Sequence, residues 1–447
     1  MVKLSGVFSH FKSFKVLVLG DFLLDTYLSG KVKRISPEAP VPVMEVLKQE
    51  SRPGGAGNVV LNLAALGGEV FAVGRIGADS EGQILKARLE KEGTNTDGLL
   101  VEANYKTPVK TRLIADSQQL LRVDYETITP LSDSLEPKVI EDLERLIPQV
   151  QVVALSDYGK GFLTQRLIEA SLKIAKKIGI PVIIDPKGSD FAKYRGATVL
   201  KPNLSEAYAA AKMPSTAPLE HAAKQILEIS CCEHLLITRS EAGISLFDRQ
   251  GQRTDFPVRT REVKDVTGAG DTVLAMICLG LANGLDLSAS AQFANIAAVI
   301  SVERLGCVQV TLSEIAKRLL ETDSETKIFD ESQTFALHQV LKGKKYILLV
   351  LEKGQEMTNL LFRTLCDLSK REDSELIVYV RDSNPNDEFV HLLSSLSEVD
   401  SIILQTESLK NLCEKIHPHE IHLLGSDTVT RVIQAKELLE NLIKLPV

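Results

Sequence analysis

The sequence predicts an α/β protein: a three-layer, doubly wound and largely parallel sheet with a small β flap, followed by a second, smaller α/β domain. Two observations carry this prediction. Up to Thr238, short apolar runs rich in Val, Ile and Leu alternate with amphipathic helical stretches, which is typical of parallel strands covered by helices on both faces. A second alternation of the same kind begins at Tyr346.

Within the large domain, residues 28–50 and 105–126 break the alternation with polar strand patterns that contain Thr and Arg. They predict a flap that stands apart from the main sheet and excludes water from a reaction site when it closes. The strands predicted for the main sheet are Val16–Leu19, Val70–Gly74, Val152–Ser156, Val182–Asp185, Thr198–Lys201 and Leu235–Thr238. The predicted helices are Asn58–Gly67, Glu81–Glu92, Thr164–Ile178 and Leu204–Ala211.

After a predicted helix that ends near Leu320, the chain becomes polar and acidic. We therefore predict a first domain at residues 1–320, a linker at 321–333 and a small Rossmann-like domain at 334–447. The strands predicted for the second domain are Tyr346–Leu351, Leu376–Arg381, Ser401–Leu404 and Ile421–Leu424, and its helices are Asn359–Lys370 and Leu409–Ile416.

Composition excludes several classes of protein. The 447 residues allow two domains, and 44% hydrophobic with 25% charged residues is ordinary globular composition. A net charge of −7 gives no electrostatic footprint for nucleic acid. No apolar run approaches the roughly 18 residues of a membrane span, so we expect a cytoplasmic protein. None of the six cysteines forms a C-x-x-C pair, which predicts reduced thiols and no zinc site.

The most informative segment is Asp265-Val-Thr-Gly-Ala-Gly-Asp271, which an apolar helical stretch follows. At a helix N-terminus, the backbone amides of Gly268, Ala269 and Gly270 would attract an anion such as a phosphoryl group. Asp271 would repel that anion, but it suits a base that takes a proton from a hydroxyl attacking the γ-phosphate. For this segment alone, a glycine-rich turn that caps an ordinary helix is the alternative.

A second glycine-rich segment, Pro53-Gly-Gly-Ala-Gly-Asn58, also leads into a helical stretch. Gly54 and Gly55 allow a small polar ligand to approach the backbone, and Asn58 offers both a donor and an acceptor to hydroxyls. A structural turn explains the segment equally well.

Two carboxylates follow the first predicted strand. Asp21 and Asp25 lie where ligands usually bind to open α/β sheets, and their carboxylates suit hydrogen bonds to sugar hydroxyls. A helix N-cap is the alternative for Asp21.

Three later segments follow strand ends and suit phosphates or metal. Asn203 and Glu206 lie on one helical face and could hold Mg²⁺ through waters, although a good helix start explains them too. Lys187 could neutralise a substrate phosphate, whereas a solvated lysine is the commoner case. The turn that contains Thr238, Ser240 and Gly243 could cradle nucleotide phosphates.

In this order, the stretches Gly54–Asn58, Asn203–Glu206 and Gly268–Asp271 resemble the marks of the ribokinase-like sugar kinase family over about residues 10–318. The resemblance implies ATP and Mg²⁺ as cofactors, with Asn203, Leu204, Ser205 and Glu206 on the nucleotide side. It also implies that Asp271 is the base and that the amides before it form the anion hole. Thr272–Met276 departs from the Phe and small-Gly pair of many members, which affects helix packing more than chemistry.

Five further stretches resemble the heptose 7-phosphate kinase branch of that family: Arg34–Val43, Ser156–Gly161, Asp185–Gly188, Tyr194–Ala197 and Lys201–Glu206. This implies phosphorylation of D-glycero-β-D-manno-heptose 7-phosphate at O1 to the 1,7-bisphosphate, in ADP-heptose synthesis for the lipopolysaccharide core. It also implies a homodimer, in which flap strands of two subunits pair. Arg112 and Lys187 are the candidates for the 7-phosphate. A related sugar phosphate such as fructose 1-phosphate stays open.

In many bacteria such a kinase is fused to a nucleotidyltransferase that transfers AMP to heptose 1-phosphate. Here Leu351–Asn359 lacks the H-x-G-H of that enzyme, Leu424 stands where its Lys-Gly-x-Asp begins, and the sequence reaches Val447 without a Ser-Thr-Thr segment. We therefore expect a degenerate domain that mediates dimerisation or binds a separate adenylyltransferase. An active second domain that makes ADP-heptose is the alternative.

Overall fold

The computed structural model describes residues 11–115, 118–258, 263–304, 306–323, 327–329, 337, 344–351, 356–371, 374–382, 384, 387–405, 409–425 and 429–432. The chain divides into two compact units. One unit is Lys12–Thr311, and the other is Leu312–Val447 together with Met1–Phe11.

The first unit contains thirteen strands among its described residues. They are β1 (Phe14–Gly20), β2 (Phe22–Ile35), β3 (Pro42–Gly55), β4 (Gly68–Gly77), β5 (Asn95–Glu102), β6 (Val109–Ala115), β7 (Gln118–Tyr125), β8 (Val152–Ser156), β9 (Val182–Asp185), β10 (Val199–Leu200), β11 (His234–Thr238), β12 (Ile244–Asp248) and β13 (Arg253–Phe256). Nine of them form the main sheet, in the order β13-β12-β11-β10-β9-β8-β1-β4-β5. The strands from β5 to β11 pair in parallel, whereas β12 and β13 are antiparallel edge strands.

Helices cover both faces of this sheet, so the predicted three-layer α/β architecture is confirmed. They are α1 (Ala56–Ala65), α2 (Ser80–Lys91), α3 (Glu136–Leu146), α4 (Gln165–Ile178), α5 (Leu204–Ala211), α6 (Leu219–Ser230), α7 (Ala269–Ala282) and α8 (Leu287–Val302). On one face, side chains of α3, α4 and α6 pack in a core cluster with Leu17 of β1 and Leu155 of β8. The other face of these strands lies against α1 and α7. Because side chains alternate along a strand, the remaining residues of β1, such as Val16 and Val18, are buried there as well.

The flap is a separate four-stranded sheet in the order β3-β2-β6-β7, as predicted. Strand β2 begins two residues after β1 ends, and β3 runs directly into α1. Gly55 makes this second junction with a φ of 56°, where a Cβ would lie 2.6 Å from the Asp21 carbonyl oxygen. The flap is therefore anchored at the carboxyl end of β1, which is the edge where ligands bind to parallel sheets.

The second unit has its own doubly wound sheet. Its strands are β14 (Ile328–Phe329), β15 (Lys345–Leu351), β16 (Ser374–Val380), β17 (Ser401–Leu404), β18 (Glu420–Leu424) and β19 (Val429–Val432), in the order β14-β17-β16-β15-β18-β19. The helices of this unit are α9 (Leu312–Asp323), α10 (Asn359–Ser369), α11 (Glu388–Ser395) and α12 (Leu409–Ile416). A second core cluster, which includes Leu349, Leu365 and Val378, lies between sheet and helices.

The range predicted as a linker contains regular structure. Helix α9 continues to Asp323, and Ile328–Phe329 pair in parallel with β17. An apolar Ile-Phe pair gains more from burial at a sheet edge than from exposure, and Phe329 is 6% exposed. Residues 324–326 and 330–333 lie outside the described residues, so the domain limits stay a prediction.

In the described parts of the chain, no helix is both long and apolar enough to cross a bilayer. All six cysteines are free thiols, and Cys232, Cys278, Cys307 and Cys413 are buried.

Candidate active site

The site is built around the start of α7, at the carboxyl edge of the main sheet. Gly268 is the residue before the helix and has a φ of 81°, a left-handed conformation that favours glycine. The Ala269 amide donates to the Val266 carbonyl at 3.3 Å, so this amide is already engaged in a turn. By position, the amides of Gly270 and Asp271 have no carbonyl acceptor within the helix. The helix start therefore offers backbone donors to an anion, mainly from Gly270 onward.

Asp271 is 3% exposed, and two side chains hold its carboxylate. Asn58 donates its amide to Oδ2 at 2.7 Å, and Tyr158 donates its hydroxyl to Oδ1 at 2.9 Å. The pKa of Asp271 is raised to about 7, mainly by burial and also by the charge of the nearby Asp185, although the hydrogen bonds from Asn58 and Tyr158 act in the opposite direction. A carboxylate that titrates near neutral pH is suited to general base catalysis.

Asn58 is fixed by a chain of hydrogen bonds inside the protein. Asn62, one turn later on α1, donates to the Asn58 carbonyl at 2.9 Å, and Thr272 donates its hydroxyl to Asn62 Oδ1 at 3.3 Å. All three side chains are nearly fully buried. The sequence predicted Asn58 as a sugar ligand, whereas in this structure its amide orients Asp271.

Asp21 is also buried, and its carboxylate holds the loop that follows β8. It accepts hydrogen bonds from the backbone amides of Tyr158 at 2.9 Å, Lys160 at 2.9 Å and Phe162 at 3.2 Å. Burial raises the pKa of Asp21 against the effect of these amides. With three amide donors, Asp21 positions the loop that carries Tyr158, and its role as a sugar ligand stays a prediction.

Asp25 lies on the flap side of the site and contacts the guanidinium of Arg112. Both side chains are largely buried, at 6% and 12% exposure respectively. A Cβ at Gly54 would overlap the Asp25 carboxylate, so only glycine allows β3 to pass beside it. Arg112 thus orients the Asp25 carboxylate, and the structure places Asp25 beside Gly54, another residue that the sequence predicted for the sugar.

A cleft of about 730 Å³ opens on the other side of the helix start. Every residue that the sequence assigned to the nucleotide lines it, together with the anion hole and the base. These are Asn203, Leu204, Ser205, Glu206, Thr238, Ser240, Gly243, Gly268, Ala269, Gly270 and Asp271. Apolar side chains such as Val263, Val299 and Val302 complete the cleft, which suits an aromatic base beside a phosphate chain.

The pair predicted as metal ligands is engaged in protein contacts. Asn203 and Glu206 form a reciprocal capping box at the start of α5, with hydrogen bonds of 2.9 Å and 3.1 Å. Lys187 also forms an ion pair with Glu206, with 2.7 Å between its Nζ and Glu206 Oε1. Their oxygens are therefore better suited to accept hydrogen bonds from waters bound to Mg²⁺ than to bind the ion directly. Lys187 lies on the nucleotide side, in the same cleft.

Tyr158, Asp185 and Lys201 were not assigned to the site from the sequence. Lys201 is 2% exposed and pairs with Asp185 at 3.0 Å, and its ammonium lies 3.4 Å from the position that a Cβ on Gly270 would occupy. The pair thus lies next to Gly270 at the start of α7, and both residues line the nucleotide cleft. Two sequence signals were available. Asp185 ends β9 and Lys201 follows β10 at the same sheet edge. The three residues also lie in the stretches Ser156–Gly161, Asp185–Gly188 and Lys201–Glu206, which carry the resemblance to the heptose kinase branch.

Comparison with known proteins places this geometry in context. The pfkB family carbohydrate kinase model matches residues 13–314. The curated protein named Bifunctional protein HldE of Pelobacter propionicus is 38% identical, over 98% of this chain and 93% of that protein. The protein of the same name from Trichlorobacter lovleyi is 40% identical, over 98% and 92%.

Solved structures agree at the level of the fold. Arabidopsis thaliana ribokinase, solved with ribose and ATP, superposes with a TM-score of 0.56 at 20% identity, covering 69% of this chain and 99% of that one. Phosphofructokinase-2 of Escherichia coli, solved with substrates and products, gives a TM-score of 0.57 at 19% identity, covering 70% and 100%.

Proposed function

The chain belongs to the pfkB family of carbohydrate kinases and, along nearly its whole length, to the family of the proteins named Bifunctional protein HldE, and we propose that it phosphorylates a heptose 7-phosphate at O1. It is a sugar kinase, a phosphotransferase. The proposal rests mainly on the position of Asp271. This buried carboxylate lies in the first turn of α7, next to backbone amides that have no acceptor within the helix, and its pKa is raised to about 7. The choice of heptose rests on the stretches Ser156–Gly161 and Lys201–Glu206, which resemble the heptose kinase branch.

In the proposed reaction, Asp271 takes the proton from the sugar O1 hydroxyl as this oxygen attacks the γ-phosphorus of ATP. A new O–P bond forms at O1, the bond to the bridging oxygen breaks, and ADP leaves with the electron pair. The amides of Gly270 and Asp271 receive charge that develops on the transferred phosphoryl group, where preorganised donors contribute most. Asn58 and Tyr158 orient the base.

The remaining residues bind and position the reactants. Asp25, oriented by Arg112, is the candidate for sugar hydroxyls, with Gly54 and Gly55 allowing the backbone to come close. The cleft beside α5 is the candidate ATP site. Mg²⁺, when bound, would neutralise phosphate charge, and the candidate to hold it is the carboxylate of Asp185, which lines the cleft 3.9 Å from the position that a Cβ on Gly270 would occupy.

A mass-resolved assay tests the function. Full-length protein is incubated with ATP, Mg²⁺ and a panel of sugar phosphates that includes heptose 7-phosphate and fructose 1-phosphate. We expect the heptose bisphosphate. Turnover of another sugar phosphate alone would contradict the choice of substrate and leave the roles of Asp271 and the helix start standing.

One observation favours a second activity, the transfer of AMP to heptose 1-phosphate by the second unit. The relatives named Bifunctional protein HldE align with this chain over 92–93% of their own length, which includes the second unit. Against an active second unit stand the missing H-x-G-H after β15 and the Leu424 that replaces a lysine, although residues 352–355 and 426–428 lie outside the described residues. We propose that this unit binds rather than catalyses. ADP-heptose formed from heptose 1-phosphate and ATP by the purified chain would contradict that proposal.

We also propose a cytoplasmic homodimer that forms through the flap. The flap exposes large apolar side chains, among them Val46 at 49%, Leu47 at 64% and Leu121 at 55%. Val46 and Leu47 lie on β3 and Leu121 on β7, the two outer strands of the flap sheet, where a second subunit could cover them. Light scattering of the full chain and of a Leu47→Glu variant checks this: a dimer in the first and a monomer in the second are expected. If a chain truncated near residue 325 still dimerises, the flap rather than the second unit is the interface.

A further inference from the structure

Two neighbouring loops at the carboxyl edge of the main sheet line the nucleotide cleft. The first follows β8 and carries Tyr158, whose hydroxyl orients Asp271. The second follows β9 and carries Lys187. Regular pairing between β8 and β9 ends at Ser156 and Asp185, so other contacts must fix how the residues beyond the strands lie relative to each other.

A single buried hydroxyl connects the two loops. Tyr194, 0% exposed, accepts a hydrogen bond from the Lys187 backbone amide at 2.9 Å and donates its proton to Asp157 Oδ2 at 2.7 Å. The Lys187 carbonyl is a more distant acceptor, at 3.4 Å. Asp157 directly precedes Tyr158, and its other carboxylate oxygen accepts the Gly159 amide at 2.7 Å. The hydroxyl therefore holds the carboxylate around which the first loop turns and the backbone of the second loop.

Tyr194 is itself held by the core of the first unit. It belongs to the core cluster that contains side chains of α3, α4 and α6, and Phe191 packs edge-on against its ring, with 6.0 Å between the ring centroids. Burial and the charge of Asp157 raise the pKa of the Tyr194 hydroxyl, so it keeps its proton and remains a donor. Lys193 pairs with Asp157 at 2.8 Å and balances the buried charge. Both loops are thus tied to the most rigid part of the unit.

Three of the stretches that resemble the heptose kinase branch meet at this hydroxyl: Ser156–Gly161, Asp185–Gly188 and Tyr194–Ala197. The first two also approach each other directly, since a Cβ on Gly159 would lie 3.6 Å from Lys187 Cγ. The geometry thus gives these separate stretches one shared physical role.

We propose that Tyr194 is a positioning residue for phosphoryl transfer, whose hydroxyl holds the loop that orients the base in register with the loop on the nucleotide side. This inference rests on the proposed kinase function and adds to it a residue that is too deeply buried to touch either reactant. Tyr194 acts through Asp157 on Tyr158, and through the Lys187 amide on the loop that Asp185 begins. Without the hydroxyl, Tyr158 is less well placed to donate to Asp271.

Tyr194→Phe tests the proposal, because it removes the hydroxyl and keeps the buried ring. Full-length variants are assayed with ATP, Mg²⁺ and the sugar phosphate that the wild type phosphorylates. We expect kcat to fall about 10-fold, the effect of one lost hydrogen bond of ordinary strength. Tyr346→Phe, which removes the hydroxyl of a buried tyrosine on β15 of the second unit, is the matched control and should keep the wild-type kcat.

The pH profile separates a positioning role from a merely structural one. In Tyr194→Phe the acid limb of kcat/KM should move to higher pH, as in Tyr158→Phe, because the ionised form of Asp271 loses part of the stabilisation by the Tyr158 hydroxyl. In the double variant the limb should lie where Tyr158→Phe alone places it, since Tyr194 acts on the base through Tyr158.

Hydrogen exchange measures the contact without turnover. The Lys187 amide should exchange faster in Tyr194→Phe, where its acceptor is gone, and at the wild-type rate in Tyr346→Phe. Thermal unfolding shows that each variant folds.

An unchanged kcat or an unmoved acid limb in Tyr194→Phe would overturn the positioning role, even if the Lys187 amide exchanges faster. A double variant whose limb is displaced by the sum of the two single displacements would overturn it too. These results leave the proposed function intact, whereas a wild type that phosphorylates no sugar phosphate contradicts the proposed function itself.

Discussion

Asn58 donates its side-chain amide to Asp271 across the interface between helices α1 and α7, at 2.7 Å. The contact has two effects. It fixes the orientation of the carboxylate, and it favours the ionised form of a group that burial otherwise pushes towards protonation. The geometry of the candidate base therefore depends on a glycine-rich turn far from it in sequence.

Replacement of Asp271 by Asn should remove the proton acceptor and leave the nucleotide cleft intact. We expect kcat to fall about 10²- to 10⁴-fold, the usual contribution of general acid–base catalysis. ATP affinity, measured by calorimetry, should stay close to that of the wild type. Asp133→Asn, a change at an exposed aspartate, is the control. Comparable kcat values in Asp271→Asn and wild type would exclude the base assignment.

The pH dependence of kcat/KM should show an acid limb near pH 7, because Asp271 must be ionised to accept a proton. In Tyr158→Phe this limb should move to higher pH, since the lost hydroxyl had stabilised the ionised form. The expected displacement is about one to two pH units. Tyr125→Phe removes the hydroxyl of an exposed tyrosine and should leave the profile in place. A limb that does not move, or moves to lower pH, would contradict the role of Tyr158.

Ionised Asp271 should also lower the free energy of unfolding of the protein at and above neutral pH. Its folded-state pKa of about 7 exceeds the ordinary 3.8, so the contribution of Asp271 to the free energy of unfolding is most favourable at low pH, where the group is protonated in both the folded and the unfolded state. That stability is lost as pH rises from about 4 to about 7. The free energy of unfolding of Asp271→Asn, relative to wild type, should therefore grow over this window by up to the order of 4 kcal/mol and then level off. Urea titrations at several pH values measure it, and a pH-independent difference would rule out the raised pKa.

Gly268→Ala should impair catalysis as well as folding. The residue has a φ of 81°, and a Cβ there would lie 2.7 Å from Asn58 Nδ2, the atom that holds the base. Gly251 has nearly the same φ, 83°, with nothing within 4 Å of its Cβ position. Both variants should lose about 1–2 kcal/mol of stability, because L residues are strained at positive φ. Only Gly268→Ala should lose kcat as well, and equal activity in the two would contradict the close contact.

Much of this fold follows from local sequence. The bounds predicted for Val152–Ser156, Leu204–Ala211 and Ser401–Leu404 are those of β8, α5 and β17, because each apolar run ends at polar or turn-forming residues. Strand β13, by contrast, is Arg253-Thr-Asp-Phe, an edge strand too short and polar to show a period.

The site was harder to predict, since a strand-end carboxylate looks the same whether it binds a ligand or backbone amides. Asp21 illustrates this, because it holds three amides of the loop after β8. Tyr158 reaches Asp271 across 113 residues of chain, a contact that depends on the stacking of the layers and leaves no signature in local spacing.

The separation of Asn58 and Asp271 by 213 residues also has a consequence for biosynthesis. At ordinary rates of translation, the ribosome completes α7 on the order of 10 to 40 seconds after it has made α1. During that interval the growing chain gains the strands from β4 to β13 but still lacks Asp271, the candidate base. With Asp271 as the proposed base, an unfinished chain cannot start the reaction, and phosphoryl transfer begins only when α7 has folded against α1.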